Sequence, residues 1–160
     1  MVTWPLICRE PYRLLFPLGA LFGCLGVGHW LLYALQWSSA SNLFHASIQM
    51  TAYMYCFIAG FLMTALPRFA AAPPASSREV LSVLGLLAAQ LACLTAGWWA
   101  GAQLCVTGLL LALVLFAARR FLRRRGPASS APPVEFLWVP WGAVMGLLGG
   151  GLLMAGHPGL

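Results

Sequence analysis

The three histidines, His29, His45 and His157, are the side chains best equipped for chemistry. Neutral imidazole is the commonest metal ligand in proteins, and the interiors of helix bundles hold metals and haem. His45 heads a stripe of polar and small residues, His45, Gln49, Tyr53 (or Ala52), Cys56, Gly60 and Thr64. Steps of three or four put them on one face of a helix. A flat cofactor against that face would meet a nitrogen ligand at the top, Gln49 and Tyr53 as hydrogen-bonding groups beside it, and the open space of Gly60 beneath. A tight helix–helix seam would leave the same stripe, and His29 alone reads equally as an interhelical hydrogen bonder. His157, followed by Pro158, is the third candidate ligand.

Other chemistries lack their residues. No Asp, Glu, Lys or Arg falls at the centre of an apolar run, so a carboxylate proton relay has nothing to run on. No HExxH and no nucleophile with a base partner is present, which argues against a hydrolase and gives no positive sign of an enzyme. The cysteines, Cys8, Cys24, Cys56, Cys93 and Cys105, form no CxxC or CxxCH. Four of them lie inside apolar runs, where a free thiol behaves as a small hydrophobe.

These residues must be positioned by membrane helices. Hydrophobic residues make up 61% of the chain and charged ones 8%, against roughly 25% charged in a soluble domain. Apolar runs long enough to cross a bilayer lie near 14–36, 45–66, 79–98, 101–121 and 136–156. The expectation is a single all-α membrane domain over 1–160, a five-span helix bundle led by residues 1–13. The first run is too long for the apolar region of a cleaved signal peptide and reads as a retained helix. A very short turn around Trp98–Gln103 makes spans three and four a hairpin.

The net charge of +6 comes from arginines confined to the gaps: Arg9 and Arg13, then Arg68 and Arg78, then Arg119, Arg120, Arg123, Arg124 and Arg125. Alternate loops are thus positive, which predicts the amino terminus inside and the carboxyl terminus outside. All three histidines then fall in the outer half. No basic face remains for nucleic acid. The lipid bilayer is the expected surrounding, and the cluster at 119–125 would also attract anionic lipid. Gly142, Gly146 and Gly150, and likewise Gly19 and Gly23, form GxxxG steps that would bring helices close, within the chain, in a homo-oligomer or against a second membrane chain.

Two segments resemble a known family. Arg9-Glu10-Pro11-Tyr12-Arg13 is similar to the REPYR-type opening of the NnrS family of haem- and copper-containing membrane proteins. Phe44-His45-Ala46-Ser47-Ile48-Gln49-Met50, closing on Gly60-Phe61-Leu62-Met63-Thr64-Ala65-Leu66-Pro67-Arg68-Phe69, resembles that family's second span. The resemblance implies a multi-pass protein of the bacterial inner membrane, tied to nitric oxide metabolism, nitrosative stress or denitrification, with histidine-bound haem. His45 would be the axial ligand and His29 the next candidate, with Gln49 and Tyr53 orienting them. Where the family often reads WHAHEM, Ser47 replaces the second histidine and the acidic residue is absent. The copper that the family implies would draw on three scattered histidines, whereas copper normally takes several nitrogen or sulfur ligands. Members typically have more spans than five, so a short relative, a half that pairs with another chain, or the product of a truncated gene is expected.

The leading segment has a structural reading as well: Arg9 and Arg13 flank Glu10, which would tie the first span to Arg68 at the foot of the second. Three functions remain open: an NnrS-type haem protein, a cofactor-free accessory or assembly subunit, and a small-solute channel or carrier.

Overall fold

In the computed structural model, which describes residues 3–37, 42–122 and 138–156, the regular elements are all helical. Helix α1 (Trp4–Arg9) starts with a proline in its first turn, where no backbone donor is needed. Helix α2 (Tyr12–Ala34) follows. Then α3 (Asn42–Ser47), a π-helical segment (Ile48–Tyr53) and α4 (Met54–Phe69) run on as one continuous span. Helices α5 (Ser77–Thr95), α6 (Trp99–Leu122) and α7 (Trp138–Gly156) complete the order.

Four stretches, Tyr12–Ala34, Leu43–Phe69, Ser77–Thr95 and Trp99–Leu122, are long and apolar enough to cross a membrane. They match the first four expected spans. The described apolar part of α7, Trp138–Leu152, is shorter. The hairpin turn lies slightly earlier than expected, at Ala96–Trp98. Gly97 adopts φ +72°, Trp98 N–H donates to the Cys93 carbonyl at 2.8 Å and Gly97 N–H to Leu94 at 3.2 Å. This is a Schellman ending with glycine at the left-handed position. The same pairing closes α2 through Gln36 and α4 through Ala71, both with positive φ.

The second span is the hub. Its most apolar stretch is 56% buried, against 28% for each of the other three. On one side it packs on α2; on the other it meets the α5–α6 hairpin, where the Tyr55 hydroxyl donates to the Leu109 carbonyl at 2.8 Å. Buried Leu15, Phe22, Ile48, Cys56, Leu62, Met63, Leu87, Leu109 and Phe116 belong to one continuous core. Large apolar side chains such as Leu21, Leu25, Leu31, Leu115, Leu148 and Leu152 point outward, as lipid-facing residues do.

Small residues set the α2–α4 distance. A Cβ on Gly19 would lie 2.9 Å from Cys56 Cβ and from the Phe57 ring, and one on Gly23 would lie 3.0 Å from the Tyr53 ring. The Gly19–Gly23 face is therefore used inside the chain. So is much of the other one: Gly146 faces Leu110 of α6, and Gly150 faces Gln103.

At the end of the bundle where α2 begins, two carboxylates clamp neighbouring helices. Glu10 Oε2 accepts from Arg13 Nε at 2.5 Å while its Oε1 accepts from Arg68 Nη2 at 2.8 Å, joining the α1–α2 corner to the last turn of α4. Glu79 caps α5 in a reciprocal box with Ser76 and takes both ends of the Arg120 guanidinium, at 3.0 and 2.7 Å. Arg120 is 6% exposed, also donates to the Pro74 carbonyl at 3.0 Å and lies 4.1 Å over the Phe116 ring. Removing one partner from such a buried pair typically costs about 3–5 kcal/mol.

Two outcomes follow. Gly19→Leu should lower stability by about 1–3 kcal/mol through overpacking. Gly28→Ala, where a Cβ meets nothing within 4 Å, should be neutral or raise it by up to about 1 kcal/mol. Thermal unfolding in mild detergent reads both, and equal responses would reject the seam. The Arg13 and Arg68 guanidiniums hold the Glu10 carboxyl below its ordinary value of 4.5. Its contribution is therefore fully present above pH 4.5 and lost as pH falls through the lowered folded value. The stability gap between wild type and Glu10→Gln should be constant near neutrality and shrink below pH 4.5. A gap that persists unchanged to pH 2 would show that the charge plays no part.

Candidate functional site

The two described histidines meet at the end of the bundle opposite the arginines. His45 lies in α3, and its Nδ1 is 2.8 Å from the Gly26 carbonyl oxygen of α2. A carbonyl can only accept, so Nδ1 carries the proton and donates. In the neutral ring Nε2 then keeps its lone pair. Gly26 permits this approach because a Cβ there would lie 2.8 Å from Gln49 Nε2 and 3.0 Å from Ile48. His29 belongs to α2, one residue before Trp30.

Aromatic rings knit the pair together. The His29 ring sits 4.9 Å from Phe44, the His45 ring 5.6 Å from Trp30, and Trp30 6.3 Å edge-on from Tyr33. Each histidine thus leans on the aromatic neighbour of the other. Both are half-buried.

Below this cluster the stripe is spent on the α2 seam. Gln49 Nε2 donates to the Gly23 carbonyl at 3.0 Å. The Tyr53 ring covers Gly23 and stacks edge-on against Phe57 at 5.1 Å. Cys56 backs Gly19, Gly60 receives Phe16, and Thr64 Oγ1 donates to the Gly60 carbonyl at 2.8 Å. Gln49 and Tyr53 therefore brace the span that carries His45, and the stripe between Tyr53 and Thr64 is the interhelical contact itself.

The stripe is also not a plain α-helix. From Ile48 to Tyr53 the backbone is π-helical, a widened form that often occurs at functional sites. Thr51 Oγ1 donates to the Ser47 carbonyl, the acceptor that an α-helix would reserve for the Thr51 amide, and takes a hydrogen bond from Gln90 Nε2 of α5. The other end of that amide, Gln90 Oε1, is buried with no partner among the described residues.

Of the remaining candidates, His157 lies outside the described residues. Glu10, Arg13 and Arg68 form the cluster already described, and Arg9 lines the cleft beside Glu10 and Arg68. Among the described residues no three His, Cys, Asp or Glu side chains converge where they would hold a metal ion. The two described imidazoles would be enough for a group that takes one or two, as haem does, and are fewer nitrogen ligands than a copper centre normally takes. Sequence reasoning missed Glu79–Arg120 and Thr51–Gln90. The first was signalled by Ser76-Ser77-Arg78-Glu79, a capping-box spacing next to one of the chain's three acidic residues. The second carried no local signal, because nothing in the sequence pairs residues 51 and 90.

No curated protein and no solved structure matches this chain. The family model described as "NnrS protein" matches residues 6–159. That match takes in both the Glu10 cluster and the histidine end, and the chain belongs to the NnrS family.

Proposed function

We propose that this NnrS-family membrane protein binds haem at its histidine end and acts in the response to nitric oxide. The observation that carries the reading is the 2.8 Å contact of His45 Nδ1 with the Gly26 carbonyl. A backbone acceptor on the far nitrogen is the arrangement that fixes the tautomer of a ligating imidazole and raises its basicity. His45 would hold the iron through Nε2, and His29 is the second candidate ligand. Trp30, Phe44 and Tyr33 would offer flat apolar contacts, and Gln49 and Tyr53 would hold the His45-bearing span in register against α2. Haem bound there would supply an iron centre able to take a small diatomic ligand or pass an electron. The residues present give no comparable support to copper.

The alternative, an accessory subunit, draws on the glycine faces and the short length of the chain; Gly19, Gly23, Gly146 and Gly150 are used within the chain, while Gly142 meets nothing within 4 Å. The proposal places the protein in the bacterial inner membrane with α7 as a fifth span. The amino terminus and the arginine-bearing loops face the cytoplasm, and the histidine end faces outward. The positive-inside distribution supports this orientation.

Two measurements test these statements. Protein purified from haem-replete cells should show a Soret band at near-stoichiometric haem. His45→Ala should lose it while remaining in the membrane, and added imidazole should restore it. An unchanged spectrum in that variant rejects His45 as the ligand. In oriented membranes, a membrane-impermeant maleimide should reach Cys8, and a cysteine placed at Ser129, from the cytoplasmic side alone. Labelling of Ser129→Cys from outside would invert the topology.

A further inference from the structure

Where α5 begins and α6 ends, Pro73, Pro74 and the first turn of α5 face the last turns of α6 across an open cleft of about 530 Å³. Arg78, Arg119 and Arg120 line it, with Glu79 as the one carboxylate among the lining residues. Glu79 is already engaged by both guanidinium ends of Arg120 and by the Ser76 backbone and hydroxyl. Arg119 approaches it only to 3.8 Å and is 58% exposed, and Arg78 forms no ion pair among the described residues. Three guanidiniums against one carboxylate leave an excess of two positive charges. Arg120 Nε, buried in the same wall, has no hydrogen-bond partner among the described residues. The cleft is therefore built and held rigid by Arg120, while the donors of Arg78 and Arg119 are available to an anion.

Its surroundings say which anion. The cleft sits at the ends of two helices long and apolar enough to cross a membrane, where hydrocarbon would give way to headgroups. Leu81, one helical turn beyond Arg78, is 56% exposed; Leu122, just past Arg120, is 86% exposed. Charge in the cleft and open apolar surface beside it match a molecule with an anionic head and hydrocarbon chains. We infer that this cleft binds the phosphate of an anionic phospholipid. Arg78 and Arg119 donate to its oxygens, a contact that guanidinium forks make bidentately, and the acyl chains lie along Leu81 and Leu122. The site is separate from the histidine end and does not depend on haem.

Native mass spectrometry of the full chain in neutral detergent tests this, with phosphatidylglycerol and phosphatidylcholine of identical acyl chains as probes. Two interfacial arginines should favour phosphatidylglycerol by roughly 30-fold. Arg78→Gln with Arg119→Gln should erase the preference; both side chains are exposed, and retained helicity confirms that the variant folds. Arg9→Gln, in the neighbouring cleft, should keep it. Equal occupancy by the two lipids overturns the proposal. So does a preference that survives in the double variant, which would assign it to Arg123, Arg124 and Arg125 instead. Displacement of phosphatidylglycerol by an equal concentration of inorganic phosphate would make this a free-anion site and overturn the lipid assignment.

Discussion

The close approach of α2 to the second span is the contact from which the histidine end takes its geometry. Between two helices in hydrocarbon there is little hydrophobic drive, so the contact must come from packing and hydrogen bonds. Glycines at 19, 23 and 26 remove the side chains that would hold the backbones apart. With those side chains gone, the carbonyls of Gly23 and Gly26 lie open to Gln49 and His45. One feature of α2 therefore supplies shape complementarity and two polar partners. A carbonyl oxygen has a second lone pair, so α2 accepts these bonds without surrendering its own ladder.

The opposite end is held by charge. Glu10 and Glu79 each join elements far apart in sequence, Glu10 to Arg68 and Glu79 to Arg120. The two clamps differ in kind. Arg68 is well exposed, and exposed pairs contribute little; Arg120 is buried, bidentate and stacked on Phe116. The open end of the α5–α6 pair, where α5 begins and α6 ends, is thus the more tightly tied of the two. The bundle consequently presents an imidazole–aromatic cluster at one end and a guanidinium–carboxylate lattice at the other.

Four of the helices were legible in the sequence because hydropathy over twenty residues is a strong signal; the hairpin was legible too, but its turn was expected at 98–103 and lies at Ala96–Trp98, on Gly97. The tie between Glu10 and Arg68 was also readable, since each stands at the foot of a span and their signs are opposite. The stripe from His45 to Thr64 was visible as a stripe, but periodicity alone does not tell a cofactor wall from a seam. That distinction rests on what faces each residue across the gap, here Gly23, Gly19 and Phe16. The π-helical segment was hidden for a related reason. Within it the Thr51 hydroxyl bonds the Ser47 carbonyl, as threonines do in the plain α-helices here, and only the added donor from Gln90 of another helix sets it apart.

That segment acts as a phase shifter. A π turn carries one more residue than an α turn before the backbone closes on itself. Everything ahead of it along the span is therefore rotated about the axis relative to an uninterrupted helix. A helical wheel drawn across residues 48–53 misplaces α3 against α4. The azimuth at which His45 meets Gly26 therefore depends on this segment as well as on the residues that touch the imidazole.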